Sequence, residues 1–194
     1  MPAGTRLIRV FRSGSGRTVR TFNPGYGSSS RFSFFGNPVV PVLYAAESDT
    51  AAVCEPILHE VPLVGGRLVP EQYEPMVAGA LLTTRPLRLA ALHGLSLRRL
   101  GVEAAEVTGS PSSTYGRTVA WAAAAHGAGF DGLEWMSRRC NTDRAYVLFG
   151  DRVGDSDLDV DPTFARVFAT GPDLDWLIDM CASVKVEVLT RPAG

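Results

Sequence analysis

Cysteine and histidine are scarce in this chain, with three of each among 194 residues. Cys54, Cys140 and Cys181 are odd in number and far apart, which excludes a disulfide framework and gives no paired spacing for zinc. His59, His93 and His126 are equally scattered, so no metal site is expected. No run approaches the ~20 consecutive apolar residues of a membrane span, and the opening residues lack the apolar core of a signal peptide. A cytoplasmic protein without membrane attachment is expected. Nineteen basic residues face twenty acidic ones, a formal charge of −1, so no overall positive field favours nucleic acid and no direct binding to it is expected. Two nucleotide motifs are missing as well. Gly14-Ser15-Gly16-Arg17 has neither the Gly-Lys-Ser/Thr end of a P-loop nor the third glycine of a dinucleotide fingerprint.

What is present is ordinary globular material, 45% hydrophobic and 20% charged, long enough to bury one core. With no internal repeat and no dividing linker, residues 1–194 read as one domain. Alternation and short apolar runs predict strands over 7–11, 39–45, 75–84, 87–92, 145–149 and 184–188. Helices are predicted over 95–100, 114–126 and 173–182, the second closed by Gly127 and Gly129. Ser48 reads as the N-cap of a further helix whose first turn is Asp49-Thr50-Ala51-Ala52. Glu55 falls about two turns in, and Pro56, which cannot donate to the carbonyl of Ala52, should kink or end that helix. Two loops, 13–16 and 22–30, are rich in Gly, Ser, Asn and Pro, and the second delivers the chain to Arg31. Ser110-Pro111-Ser112-Ser113 is a third. The segment from Arg6 to Arg20 holds five arginines and no acid, which suits either phosphate binding or a solvated face.

Phe22-Asn23-Pro24-Gly25, Arg31-Phe32, Leu43-Tyr44-Ala45-Ala46-Glu47-Ser48, Ala51-Ala52-Val53-Cys54-Glu55 and His59-Glu60-Val61 follow one another in an order that resembles the RES-domain family, named for its arginine, glutamate and serine. Asp131-Gly132-Leu133-Glu134-Trp135-Met136-Ser137, followed by Val147-Leu148-Phe149, is similar to the family's serine segment. The resemblance implies an α+β fold like that of ADP-ribosyltransferases, with two small packed sheets and helices around a nucleotide cleft. It implies a toxin of a bacterial toxin–antitoxin pair that consumes NAD⁺ as substrate by hydrolysis or phosphorolysis, needs no cofactor, and is neutralised by an antitoxin with a helix-turn-helix domain. Carried over, the family's residues fall on Arg31, Tyr44, Glu55 and Ser137. Pro56 departs from the pattern and bears on where Glu55 points.

These residue types suit that chemistry. A planar guanidinium meets two pyrophosphate oxygens at once, the role expected of Arg31. Cleaving the nicotinamide–ribose bond leaves an oxocarbenium-like sugar, whose charge a carboxylate at Glu55 can stabilise. Glu47 and Glu60 are rival carboxylates, better read as a strand-end residue and a solvated one. Tyr44 can stack on a base or simply pack in the core. Ser137 can bond a phosphate or ribose oxygen, or hold Glu55, and no G-x-S-x-G elbow marks it as a nucleophile. Arg138 and Arg139 are secondary phosphate candidates. Two alternatives stand beside hydrolysis and phosphorolysis: mono-ADP-ribosylation of a protein, and a non-catalytic module that retains the fold.

Overall fold

Alternating apolar residues near the N-terminus form β1 (Arg6–Arg12), and the apolar run before Glu47 forms β2 (Val42–Ala46). The structure, a computed structural model, describes residues 1–14, 16–28, 30–110 and 115–191; the predicted loop residues Ser15, Ser29 and Pro111 to Ser113, and Thr114 at the predicted helix start, lie outside these. Strand β2 begins later than the sequence predicts, because the chain turns through residues 36–39 and Pro41 carries no N–H for a ladder.

Seven strands form one sheet in the order β5-β6-β7-β2-β1-β4-β8, with β4 (Met76–Thr83), β5 (Leu89–Ala91), β6 (Gly132–Met136), β7 (Arg144–Phe149) and β8 (Leu158–Val167) joining the first two. Among the described residues, β1 and β2 meet at the single register pair Ile8↔Ala46, whereas β1 runs against β4 from Arg6↔Leu82 to Arg12↔Met76. The sheet therefore divides there into a four-stranded and a three-stranded half. Leu7 and Leu81 of one half share a buried cluster with Leu43, Ala45, Tyr146 and Leu148 of the other, so the halves pack on a common core. This is the mixed α+β architecture expected. A second, two-stranded parallel sheet pairs β3 (Gly66–Leu68) with β9 (Val186–Val188).

Strand alternation decides which side chains reach which face. On β2, Leu43 and Ala45 enter the shared core, while Val42 and Tyr44 point the other way, toward Phe32, Trp135 and Phe149. The helix α5 (Tyr115–Gly127) covers this second face through Ala122, and Gly129, at φ +84°, turns the chain after it. Strands β6 and β8 are not evident from sequence alone. Gly132 starts β6 because a Cβ there would stand 2.1 Å from the carbonyl oxygen of Val147. Strand β8 carries Pro162 inside its run, which argues against a strand unless it lies at an edge or bulge. It does both: β8 is the last strand, and the register jumps from Ala80↔Asp161 to Gly79↔Ala165.

Helix α1 (Asp49–Cys54) begins as predicted, with the Ser48 hydroxyl accepting from the Ala51 N–H at 3.1 Å and donating to Asp143. Ser48→Ala should therefore cost about 1–2 kcal/mol in urea unfolding; a loss below a few tenths would show that the cap is idle. The remaining helices are α2 (Pro70–Tyr73), α3 (Leu95–Leu100), α4 (Ala104–Val107) and α6 (Pro172–Ser183). All three cysteines are free, and burial pushes the Cys54 thiol up to about 12 and that of Cys181 to about 11, so both are inert packing groups. Among the described residues no helix is long and apolar enough to cross a membrane, and no group of three or more His, Cys, Asp or Glu is placed to hold a metal ion.

Candidate active site

The Gly/Ser loop that precedes Arg31 is ordered by its own side chains. Asn23 accepts from the N–H groups of Gly25 (3.1 Å) and Tyr26 (2.8 Å) and is laddered through its backbone to Val42 at the start of β2. Ser30 and Ser33 then exchange backbone hydrogen bonds of 3.1 and 3.2 Å, which places Arg31-Phe32 at the tip of a tight turn. Tyr44 clamps that tip, its hydroxyl oxygen accepting from the Ser30 hydroxyl at 2.8 Å and the Phe32 N–H at 3.1 Å. Thr118 of α5 donates to the Arg31 carbonyl, and Phe32 is buried against Trp135 with ring centroids 4.9 Å apart. The backbone on both sides of Arg31 is thus fixed before any ligand arrives.

Arg31 is only 5% exposed. Its Nη1 donates to the carbonyl and the hydroxyl of Ser110, each at 2.9 Å, and more weakly to the Val107 carbonyl at 3.4 Å. Its carbon lies 5.2 Å from the centre of the Tyr115 ring. Burial pulls the pKa of Arg31 down, with Tyr115 and Glu55 pulling it back; a guanidinium remains charged at neutral pH all the same.

Glu55 caps the C-terminal end of α1 in helical geometry, and the turn continues past Pro56, since Ile57 donates to Val53 at 3.0 Å. Pro56 deletes one bond of the ladder without swinging Glu55 away: both residues line one cleft with Arg31 and Tyr44. Burial raises the Glu55 pKa above its ordinary 4.5, opposed by the Ser137 hydroxyl, the Arg31 charge and the Arg138 backbone N–H. Ser137 itself is fully buried and lies behind the carboxylate, its oxygen also accepting from the Cys140 N–H at 3.3 Å. Because the folded-state pKa is raised, ionised Glu55 costs stability above that pKa. The cost is relieved as pH falls through the folded pKa toward the unfolded value.

The cleft encloses about 470 Å³, within the range of small-molecule sites. Its far wall is His59, whose Nε2 meets the Tyr115 hydroxyl at 2.6 Å and Glu60 at 3.2 Å. Burial lowers the His59 pKa, against the pull of Glu60 and together with the charge of Arg31. Trp135 closes the floor with an indole N–H that has no partner among the described residues. Neither Tyr115 nor Trp135 is singled out by the sequence: one opens a helix and the other sits in an apolar strand, where packing is the ordinary expectation.

The rival groups separate clearly. Glu47 is engaged by Arg144 through three hydrogen bonds of 3.1–3.2 Å, whereas Glu60 lines the same cleft as Glu55 but with its side chain 77% exposed. Arg139 donates to the carbonyls of His59 and Val61, both at 2.9 Å, and so staples the turn after α1. Arg138 is exposed and lines a neighbouring cavity of about 430 Å³ beside His93 and Thr108.

No curated protein matches the chain. Among solved structures it is similar to the crystal structure of the M. tuberculosis MbcT–MbcA toxin–antitoxin complex, with 14% identity, a TM-score of 0.60, and 84% of each chain covered. At that identity the likeness is one of fold. A family model described as the RES domain matches residues 6–176, from the first residue of β1 into α6. The chain that gathers Arg31, Tyr44 and Glu55 in one cleft, with Ser137 behind, belongs to the RES-domain family.

Proposed function

We propose that this protein consumes NAD⁺ by cleaving its nicotinamide–ribose bond and passing the ADP-ribosyl group to water or inorganic phosphate. The observation that carries the reading is a buried cation and a half-buried carboxylate, Arg31 and Glu55, on the wall of one cleft beside an aromatic hydroxyl. Membership of the RES-domain family supports it. In the reaction the N-glycosidic bond breaks, its electron pair leaves with nicotinamide, which departs neutral, and positive charge develops on the ribose. Glu55 stabilises that charge from a desolvated position, where a carboxylate acts more strongly than in water. Arg31 anchors the pyrophosphate. Water or phosphate then adds to the anomeric carbon and gives up a proton.

Tyr44 positions Arg31 by holding both of its neighbours, and its ring, whose centre lies 6.1 Å from that of Trp135, borders the space for the leaving group. Of the two roles open to Ser137, holding Glu55 is the one its complete burial favours. The biological setting we propose is that of a toxin neutralised by a small antitoxin, by analogy with the MbcT–MbcA pair; a helix-turn-helix domain in that partner is part of the same proposal. The chemistry needs no metal or bound cofactor.

Purified protein incubated with NAD⁺, with and without phosphate, should release nicotinamide in the NMR spectrum, together with ADP-ribose or its 1″-phosphate. Folded protein that leaves NAD⁺ intact in both would reject the proposal, and label from NAD⁺ appearing on a protein band would favour transfer to protein. The pH profile carries a second expectation. Activity requires ionised Glu55, so kcat/KM should fall as pH drops through a pKa above 4.5. An acid limb at or below the ordinary glutamate value would show that Glu55 does not govern the reaction.

A further inference from the structure

The arginine-rich opening segment has a place in the fold that the cleft does not use. Arg9 alternates with Ile8 and Val10 on β1, so it shares the sheet face of Leu7 and Phe11 rather than the face of Tyr44. On that side lies a further cavity of about 360 Å³, walled by Phe11, Phe22 and Tyr26 and carrying the side chains of Arg9 and Arg17. No acidic residue among those described lines it. The Arg9 guanidinium sits 5.2 Å from the Phe11 ring centre and donates from Nη1 to the Val19 carbonyl at 2.8 Å. One carbonyl and one ring occupy a fraction of its five donors. Burial, reinforced by the charge of Arg17, lowers its pKa to about 10, the mark of a desolvated cation beside another cation. Packing alone gives no reason to hold a half-buried guanidinium beside the exposed one of Arg17 with no described acid lining the cavity, since like charges side by side repel. An anion would offset that repulsion. Tyr26, 69% exposed at the rim, offers an aromatic face with little of its own to cover.

We propose that this cavity is a second ligand site that takes a phosphate-bearing aromatic ligand of mononucleotide size. Its phosphate lies on Arg9 and Arg17, and its ring against Tyr26 and Phe22. The loop of Asn23 and Tyr26 continues through Ser28 and Ser30 to the cleft wall. Such a ligand has two sources: the far end of a dinucleotide bound in the cleft, or a free nucleotide. The site is argued independently of NAD⁺ turnover, and its test is read without NAD⁺.

The probe is AMP, titrated calorimetrically into the whole protein. Saturable binding is expected in wild type and equally in Glu55→Gln, with affinity at least tenfold weaker in Arg17→Gln and in Tyr26→Ala. Both of the latter residues are exposed, so their loss leaves the core untouched. Absence of AMP binding, or equal affinity in all four proteins, overturns the proposal. Where NAD⁺ is turned over, AMP that raises KM, matched by a raised KM in Arg17→Gln, identifies the ligand as the dinucleotide's far end. AMP that binds without changing KM identifies a free nucleotide. Loss of NAD⁺ turnover with retained AMP binding would reject the catalytic reading and leave this site standing.

Discussion

Glu55→Gln should lower NAD⁺ turnover by about 10²–10³-fold while leaving the protein folded, the loss typical of removing one preorganised electrostatic partner of a transition state. Glutamine keeps the size of the side chain, its place at the end of α1 and an oxygen that can accept from Ser137 and from the Arg138 N–H. What it removes is the negative charge that faces the developing sugar cation. The same substitution removes a carboxylate whose burial holds its pKa above the ordinary value, so stability at neutral pH should hold or rise. Turnover and urea unfolding measured on one preparation separate the two effects. Activity within tenfold of wild type in a folded variant would remove Glu55 from the mechanism; loss of both together would make it a structural residue. Glu47→Gln is the control, since its carboxylate is tied to Arg144 outside the cleft.

The largest effect on stability is expected at Trp135, which is 1% exposed and packs against Phe32 and Tyr44 beneath the cleft. Trp135→Ala should cost about 3–5 kcal/mol in urea unfolding, from lost transfer energy and the cavity left behind. Against a total of about 5–15 kcal/mol for a domain, that brings the fold near its threshold. Trp135→Phe should cost far less, within about 1.5 kcal/mol, because a ring remains and an indole N–H without a partner among the described residues is removed. The contrast between the two variants is the informative measurement. Equal losses would mean that the indole N–H is stabilising, and a small loss in the alanine variant would mean that the floor collapses freely.

The order of local signals was legible in the chain wherever the physics is local. Ser48 caps α1 as its hydroxyl allows, Gly129 turns the chain after α5, and residues 95–100 form the short helix their pattern suggests. The register of Arg31, Tyr44 and Glu55 relative to these elements identified the family that the match over residues 6–176 establishes. Strands β6 and β8 were hidden because each breaks a local rule that a neighbour repairs. Gly132 weakens a strand but permits close approach to Val147, and Pro162 is harmless in the edge strand at a bulge.

The residues themselves determined that a guanidinium, a carboxylate, an aromatic hydroxyl and a serine stand at set intervals, with a cap before the carboxylate and a proline after it. Only the folded chain decided that Pro56 leaves Glu55 facing Arg31, that Ser137 lies behind the carboxylate, that His59 and Tyr115 form the opposite wall, and that Arg9 looks out from the other side of the sheet. Capping and alternation act over a few residues and can be read along the chain, whereas burial, and the shifts in proton affinity it causes, depend on segments from Arg31 to Ser137 meeting in space.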